Sequence, residues 1–198
     1  MNMKPALLIA AGLALGLTGC SLGEVEQGRV VAFDEAAKTI TVVHDSAMDP
    51  QNPRYDVMPP VTFKLPADEK EIGPLPKAGK RLKIDAEKKQ IEIYDEPKNK
   101  LAYLDIEITD LQKDIGARHP MVYDSATKKA KSFPVISGGT IQIYSPRQKQ
   151  LITFKVPEGY ADYPADTWAA GDEVRIYAKE KGQALRFMNI SQTNIFKK

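Results

Sequence analysis

The chain has 198 residues, a formal net charge of +2 and 42% hydrophobic residues, which is enough for one large domain or two small ones. Basic and acidic residues are interspersed along it without a basic stripe, so nucleic-acid binding is not predicted. Cys20 is the only cysteine, which excludes an internal disulfide and any thiolate metal site in the rest of the chain.

The first element of the chain is an apolar run at 7–17 that follows the early Lys4. A basic start, an apolar run of this length and a small-residue exit are typical of a secretory signal peptide. The run is too short to cross a bilayer as a helix, which takes about 20 residues. We therefore expect residues 1–19 to direct export and then to be removed.

The run ends in Leu17-Thr18-Gly19-Cys20, which resembles the bacterial lipobox. This resemblance implies that the Cys20 thiol is diacylated, that the bond before it is cut, and that the new amino group is acylated. Ser21 rather than an aspartate follows, and by resemblance to bacterial lipoproteins this favours the outer membrane. The expectation is a protein held at the periplasmic face of a bacterial membrane. The alternative is a chance cysteine with a free thiol.

Beyond a predicted lipidated tether at 20–27, apolar and polar residues alternate in segments such as TITVVHD (39–45), LDIEITD (104–110) and EVRIYAK (173–179). Period-two alternation with many Val, Ile, Thr, Tyr and Phe residues predicts half-buried strands. The fourteen prolines and thirteen glycines lie mostly between these segments, where turns are expected. The sequence therefore predicts a mainly β fold.

Two segments recur in the same order at offsets of 91 and 92 residues: VTFKLP (61–66) as ITFKVP (152–157), and AGKRLKID (78–85) as AGDEVRIY (170–177). We interpret this repeat as two tandem copies of one small antiparallel β-barrel, at 28–110 and 111–198. An OB-like barrel is the preferred form, because closing five or six short strands protects their edges. An open sandwich shared between the two copies is the alternative.

The repeated strands make a specific prediction about orientation. Phe63 and Phe154 should both point into a core, because Lys64 and Lys155 then face water by the alternation of the strand.

The first copy contains GRVVAFDEAAKTITVVHDS (28–46), then Met58 and an AGK turn, and here it resembles the periplasmic copper- and silver-binding OB barrels of efflux systems. The resemblance implies that His44 and Met58 bind Cu(I), with Tyr55 near the position of a capping tryptophan. Imidazole and thioether ligands suit this soft metal. Met48 could substitute as a ligand only if its loop folds back.

The chain also departs from that family. Pro59, Pro60 and Val61 occupy the region of its second methionine, and the second copy has neither histidine nor methionine in the matching stretch. A histidine at a strand end is usually a surface residue, and a methionine beside prolines usually packs. This alternative stands beside the metal hypothesis.

The remaining candidate site residues lie mostly in predicted loops. His119 and Met121 are predicted loop residues, Trp168 is predicted to close the end of its barrel, and Tyr160 and Tyr163 form an aromatic loop that could meet a sugar or a partner. The sequence offers no serine or cysteine nucleophile beside a base, and its two histidines make a hydrolytic triad improbable, so no enzyme activity is predicted.

Taken whole, the lipobox followed by paired β modules resembles an uncharacterised lipoprotein family of sulfate-reducing bacteria. Two hypotheses follow. The first is a non-catalytic, membrane-anchored binding or scaffolding lipoprotein, with a covalent lipid on Cys20, no other cofactor, and an envelope protein or polymer as its partner. The second is a soft-metal chaperone that binds Cu(I) or Ag(I) through the first copy.

Overall fold

The structure, a computed structural model, describes residues 22–193 and confirms the predicted mainly β fold. Its strands are Glu24–Asp34 (β1), Thr39–His44 (β2), Val57–Lys64 (β3), Arg81–Asp85 (β4), Gln90–Asp95 (β5), Lys100–Asp105 (β6), Ile108–Gln112 (β7), Tyr123–Asp124 (β8), Lys129–Ala130 (β9), Val135–Ser137 (β10), Thr140–Ser145 (β11), Gln150–Lys155 (β12), Glu173–Glu180 (β13) and Gln183–Asn189 (β14). Short 3-10 turns lie at Glu69–Glu71, Glu96–Lys98 and Ala165–Thr167. Within this part of the chain, no helix is long and apolar enough to cross a membrane. The predicted signal peptide and Cys20 lie outside the described residues.

One group of strands forms a closed barrel with the order β1-β13-β14-β3-β2. Neighbouring strands are antiparallel, except that β14 and β3 are parallel. Five strands closed in this Greek-key order form an OB-type barrel. Its interior holds Val30, Ile40, Val42, Phe63, Leu65, Val174, Ile176, Ala178, Ala184 and Phe187.

A second core lies between two antiparallel sheets. One sheet has the order β4-β5-β6 and the other has the order β10-β11-β12-β7. Between them are buried Ile84, Ile91, Ile93, Ala102, Ile106, Ile141, Ile143, Ile152, Phe154 and Trp168. This arrangement of two sheets, with strands from both halves of the chain, is closer to the shared open sandwich that the sequence left as an alternative.

The two cores draw on both predicted copies, so the boundary between 28–110 and 111–198 does not separate them. The β13–β14 hairpin of the second predicted copy completes the barrel, and the β4–β5 hairpin of the first contributes to the second core. The repeated AGKRLKID and AGDEVRIY segments thus enter opposite cores. The strands Arg81–Asp85 and Glu173–Glu180 begin with the same pattern of buried and exposed side chains, so the local sequence does not distinguish which core receives each hairpin.

The predicted orientation of the repeated strands is confirmed. Phe63 and Phe154 are fully buried, whereas Lys64 and Lys155 are exposed. Each phenylalanine lies on a strand with partners on both sides, β3 between β2 and β14, and β12 between β11 and β7. The two segments therefore hold equivalent places in different cores.

The predicted tether at 20–27 is wrong in its extent. Strand β1 begins at Glu24, which pairs with Ala178 of β13, and Gln27 is buried with its amide donating to Asp45 at 2.9 Å. A polar segment reads as a linker in the sequence, but here a neighbouring strand satisfies its backbone groups. Three residues separate Cys20 from the first strand.

Candidate functional site

An exposed apolar groove crosses the outer face of the barrel over β1, β13 and β14. Its volume is about 530 Å³, and Val25, Tyr177, Leu185 and Met188 supply its apolar lining. Val25, Leu185 and Met188 are 47%, 42% and 37% exposed. Apolar side chains clustered in this way on an otherwise polar face mark a candidate interaction site. We refer to this feature as the β1–β13–β14 groove.

Charged side chains at the border of the groove are engaged with protein partners. Arg186 Nε lies 2.5 Å from Glu71 Oε2, and the Arg175 guanidinium donates to Gln27 Oε1 at 2.7 Å. The hydrogen bond from Arg186 lowers the pKa of the Glu71 carboxyl, and the same bond raises the pKa of Arg186. The border is therefore polar, while the lining can accept apolar groups.

The groove lies beside the start of the described chain. The ring of Tyr177 covers Gly23, where a Cβ would lie 2.6 Å from the tyrosine oxygen, so only glycine fits beneath the ring without displacing it. Leu22, the residue before it, is 93% exposed. Any group attached just before Leu22 is consequently held close to this face.

A second feature is a buried polar network where the barrel meets the β4–β5–β6 sheet. Arg29 Nε donates to the Tyr55 hydroxyl at 3.0 Å, and this hydroxyl donates to Glu173 Oε2 at 2.6 Å. Burial raises the pKa of the Glu173 carboxyl, although the Arg29 charge and the Tyr55 hydrogen bond act in the opposite direction. Its Oε1 has no hydrogen-bond partner among the described residues.

Arg81 belongs to the same region. Its Nε donates to the carbonyl oxygen of Trp168 at 2.9 Å, and its side chain is buried. Burial lowers the pKa of Arg81 to about 9, and the charge of Arg29 acts in the same direction. The Arg81 bond ties β4 to the segment that precedes β13, and the bonds among Arg29, Tyr55 and Glu173 join β1 to β13, so we assign these contacts a structural role.

The residues of the metal hypothesis are not brought to one face. His44 Nδ1 lies 3.5 Å from Glu26 Oε2, whereas Met58 packs in the cluster that contains Val43 and Tyr55. Because successive strand residues point to opposite faces, His44 lies opposite the Val43 side on which Met58 packs. Tyr55 is itself bonded to Glu173.

Met48 lies apart from this cluster, in the exposed loop between β2 and β3, with a φ of 53°. In the described part of the chain, no three His, Cys, Asp or Glu side chains are grouped so that they could hold a metal ion.

The remaining sequence candidates have packing or loop roles. Trp168 is buried in the second core. The centroid of its ring lies 6.1 Å from that of Phe154 and 6.3 Å from that of Tyr160. His119 and Met121 lie in a turn in which His119 Nδ1 accepts a hydrogen bond from the Met121 amide at 3.3 Å.

The aromatic loop is tied to the second core through one carboxylate. Tyr160 and Tyr163 donate to the two oxygens of Asp95 at 3.3 and 3.1 Å, and the Lys98 ammonium donates to the same carboxylate at 2.9 Å. Burial raises the pKa of Asp95, but the bonds from Lys98 and Tyr163 outweigh it, so this pKa lies below its ordinary value. The two tyrosine hydroxyls thereby hold the loop against β5.

Sequence reasoning missed the β1–β13–β14 groove and the Arg29–Tyr55–Glu173 network. The network carried no signal, because Glu173 lies 118 residues from Tyr55 and 144 residues from Arg29. The groove carried a weak one. In ALRFMNI (184–190), Met188 is apolar where the alternation from the buried Phe187 calls for a polar residue, whereas Leu185 reaches the outer face only through the bulge between Ala184 and Arg186.

The fold and this groove define a small β protein in which an OB-type barrel, closed by strands from both ends of the described chain, carries an exposed apolar face. A family model described as a domain of unknown function, DUF4881, matches residues 21–198, and the chain belongs to this family. Comparisons with curated proteins and with solved structures gave no match.

Proposed function

We propose that this protein is a lipid-anchored envelope protein, held through acylated Cys20 at the periplasmic face of a bacterial membrane, and that it acts as a non-catalytic binding or scaffolding module. The outer membrane is the favoured location, as Ser21 suggests. The observation that carries the proposal is the exposed apolar groove that lies within a few residues of the lipobox cysteine.

Several further observations support a lipid anchor. The family match begins at Ser21, directly after Cys20, and β1 begins at Glu24. A folded domain that starts immediately after the cysteine is compatible with cleavage before it. Several acyl chains on one residue hold a protein firmly, because each buried methylene contributes about 0.8 kcal/mol.

A binding role is supported by the difference between the polar networks, whose side chains are bonded to one another, and the groove, whose apolar side chains are exposed. Arg29, Glu173 and Asp95, which are buried or partly buried and titratable, are each bonded to protein partners in the two networks. The groove instead leaves apolar side chains without a partner from the described residues. Its chemistry suits the recognition of an apolar surface.

Cell fractionation tests the proposal. The wild-type chain should remain in the membrane fraction after a high-salt wash, whereas Cys20→Ser should leave that fraction or accumulate as an uncleaved precursor. Ser21→Ala is the matched control and should stay membrane-bound. A Cys20→Ser protein of mature size that remains in the washed membranes would exclude the lipid as the anchor.

A further inference from the structure

We propose that the β1–β13–β14 groove lies against the lipid surface itself, so that the anchored barrel rests on the bilayer with this face down. The inference rests on the proposed acylation of Cys20 and names the partner of the groove. None of the groove-lining residues belongs to the second core, which then stays available to an envelope partner.

The length of chain between the anchor and the barrel supports this orientation. Cys20 and Glu24 are four residues apart, and an extended chain spans at most about 3.6 Å per residue, so the first strand cannot lie more than about 14 Å from the acylated residue. From Glu24 onward the chain is paired with β13 and cannot extend further. The tether therefore keeps the start of β1 within about 14 Å of the acylated residue, close to the membrane interface.

The chemistry of this face matches a membrane interface. Val25, Leu185 and Met188 provide apolar side chains, and Leu22 adds another at the point nearest the anchor. Tyrosine, here Tyr177, is enriched at the boundary between lipid and water. Binding at an interface grows with the apolar area buried there, and this contribution adds to that of a covalent lipid.

A protein partner in the groove is less compatible with the same geometry. Val25 lies five residues from Cys20, so the groove opens at the membrane-proximal side of the barrel. A folded partner would have to enter the gap between barrel and bilayer, which the short connection limits to about 14 Å at β1. Lipid is already present there once the anchor is inserted.

Fluorescence quenching in vesicles tests the orientation with the full lipidated chain. Acylation blocks the Cys20 thiol, so Leu185→Cys introduces a single reactive thiol for an environment-sensitive dye. Ile136→Cys, on β10 of the second core, is the matched control, because Ile136 is 45% exposed. The vesicles contain phosphatidylethanolamine and phosphatidylglycerol, with or without nitroxide-labelled lipid.

We expect the dye at position 185 to shift to shorter wavelength and to be quenched several-fold more by nitroxide lipid than the dye at position 136. Met188→Cys repeats the measurement within the groove if Leu185→Cys does not fold. Equal quenching at 185 and 136, or no quenching at 185, would overturn the inference. A blue shift without quenching would also overturn it and would indicate a protein occupant, such as a second copy.

The anchor and the orientation fail in different ways. If mass analysis finds Cys20 unmodified and the chain does not float with vesicles, the proposed anchor is wrong and the inference falls with it. If the chain is acylated and floats, yet the dye in the groove is not quenched, the orientation alone is wrong.

Discussion

Gly79 and Gly171, the glycines of the two repeated Ala-Gly pairs, lie against each other where the chain passes between the cores. A Cβ placed on Gly171 would lie 2.9 Å from the carbonyl oxygen of Gly79 and 3.0 Å from its nitrogen, and it would overlap the carbonyl oxygen of Val30. The Gly79 amide donates to that same Val30 oxygen at 3.1 Å. Neither glycine has a positive φ, so their requirement is for close backbone approach and not for a left-handed conformation.

This crossing predicts a strong steric effect of alanine. Gly171→Ala and Gly79→Ala should each lower the free energy of unfolding by about 3 kcal/mol or more, because the atoms in the way are backbone and cannot rotate aside. Gly116→Ala is the control, since a Cβ there meets nothing within 4 Å. Chemical denaturation measures the difference, and an alanine at 171 as mild as one at 116 would contradict the crossing.

The exchange of hairpins predicts that neither half of the chain folds alone. A fragment of residues 22–110 lacks β13 and β14 and leaves β1 and β3 as open edges. Circular dichroism and thermal unfolding of this fragment and of 111–193 should show no cooperative transition for either one. A mixture of the two fragments should show a cooperative transition. A cooperative transition in the isolated 22–110 fragment would instead support independent tandem domains.

The Asp95 carboxylate predicts a pH-dependent contribution to stability. Asp95→Asn should lower the free energy of unfolding at neutral pH by about 1–3 kcal/mol, because it weakens the charge-assisted bond from Lys98 and both tyrosine bonds. The folded pKa lies below the ordinary value of 3.8, so the contribution is present above that value and is lost as the pH falls through the folded pKa.

The difference between wild type and Asp95→Asn should therefore shrink as the pH falls below about 4. Unfolding followed between neutral and acidic pH measures this. Asp105→Asn, an exposed site on β6, is the matched control and should have little effect. An Asp95→Asn defect that is constant down to acidic pH would rule out the ionised carboxylate as its source.

The placement of the predicted metal ligands gives a prediction about copper. His44 and Met58 lie on opposite faces of the sheet, so the double variant His44→Ala, Met58→Ala should titrate with Cu(I) in the same way as the wild-type chain. A competition titration with a chromogenic Cu(I) chelator measures this. Tight binding by the wild type that disappears in the double variant would favour the chaperone hypothesis.

The strands and their inward faces could be predicted from the sequence, because burial of alternate side chains leaves a local pattern. Phe63 with Lys64, and Phe154 with Lys155, show it directly. Strand partners could not be predicted in this way. The hairpins that begin at Arg81 and Glu173 bury similar apolar faces. The choice of core for each hairpin involves contacts between residues about 90 positions apart, such as Gly79 and Gly171.

The candidate site was hidden for a similar reason. Val25 looked like part of a linker, and only its pairing with Tyr177 shows that it continues the apolar face formed by Leu185 and Met188. The candidate copper ligands, His44 and Met58, behave in the opposite way. His44 and Met58 are close in sequence, but the strand alternation and the packing of Met58 beside Tyr55 direct them to different sides.

The mass of the mature N-terminal peptide tests the lipid anchor most directly. Protein extracted from membranes with detergent is digested, and its first peptide is analysed by mass spectrometry. The peptide should begin at Cys20 and carry a diacylglyceryl group on sulfur and an acyl group on nitrogen. A peptide that begins elsewhere, or a Cys20 with a free thiol, would contradict the anchor.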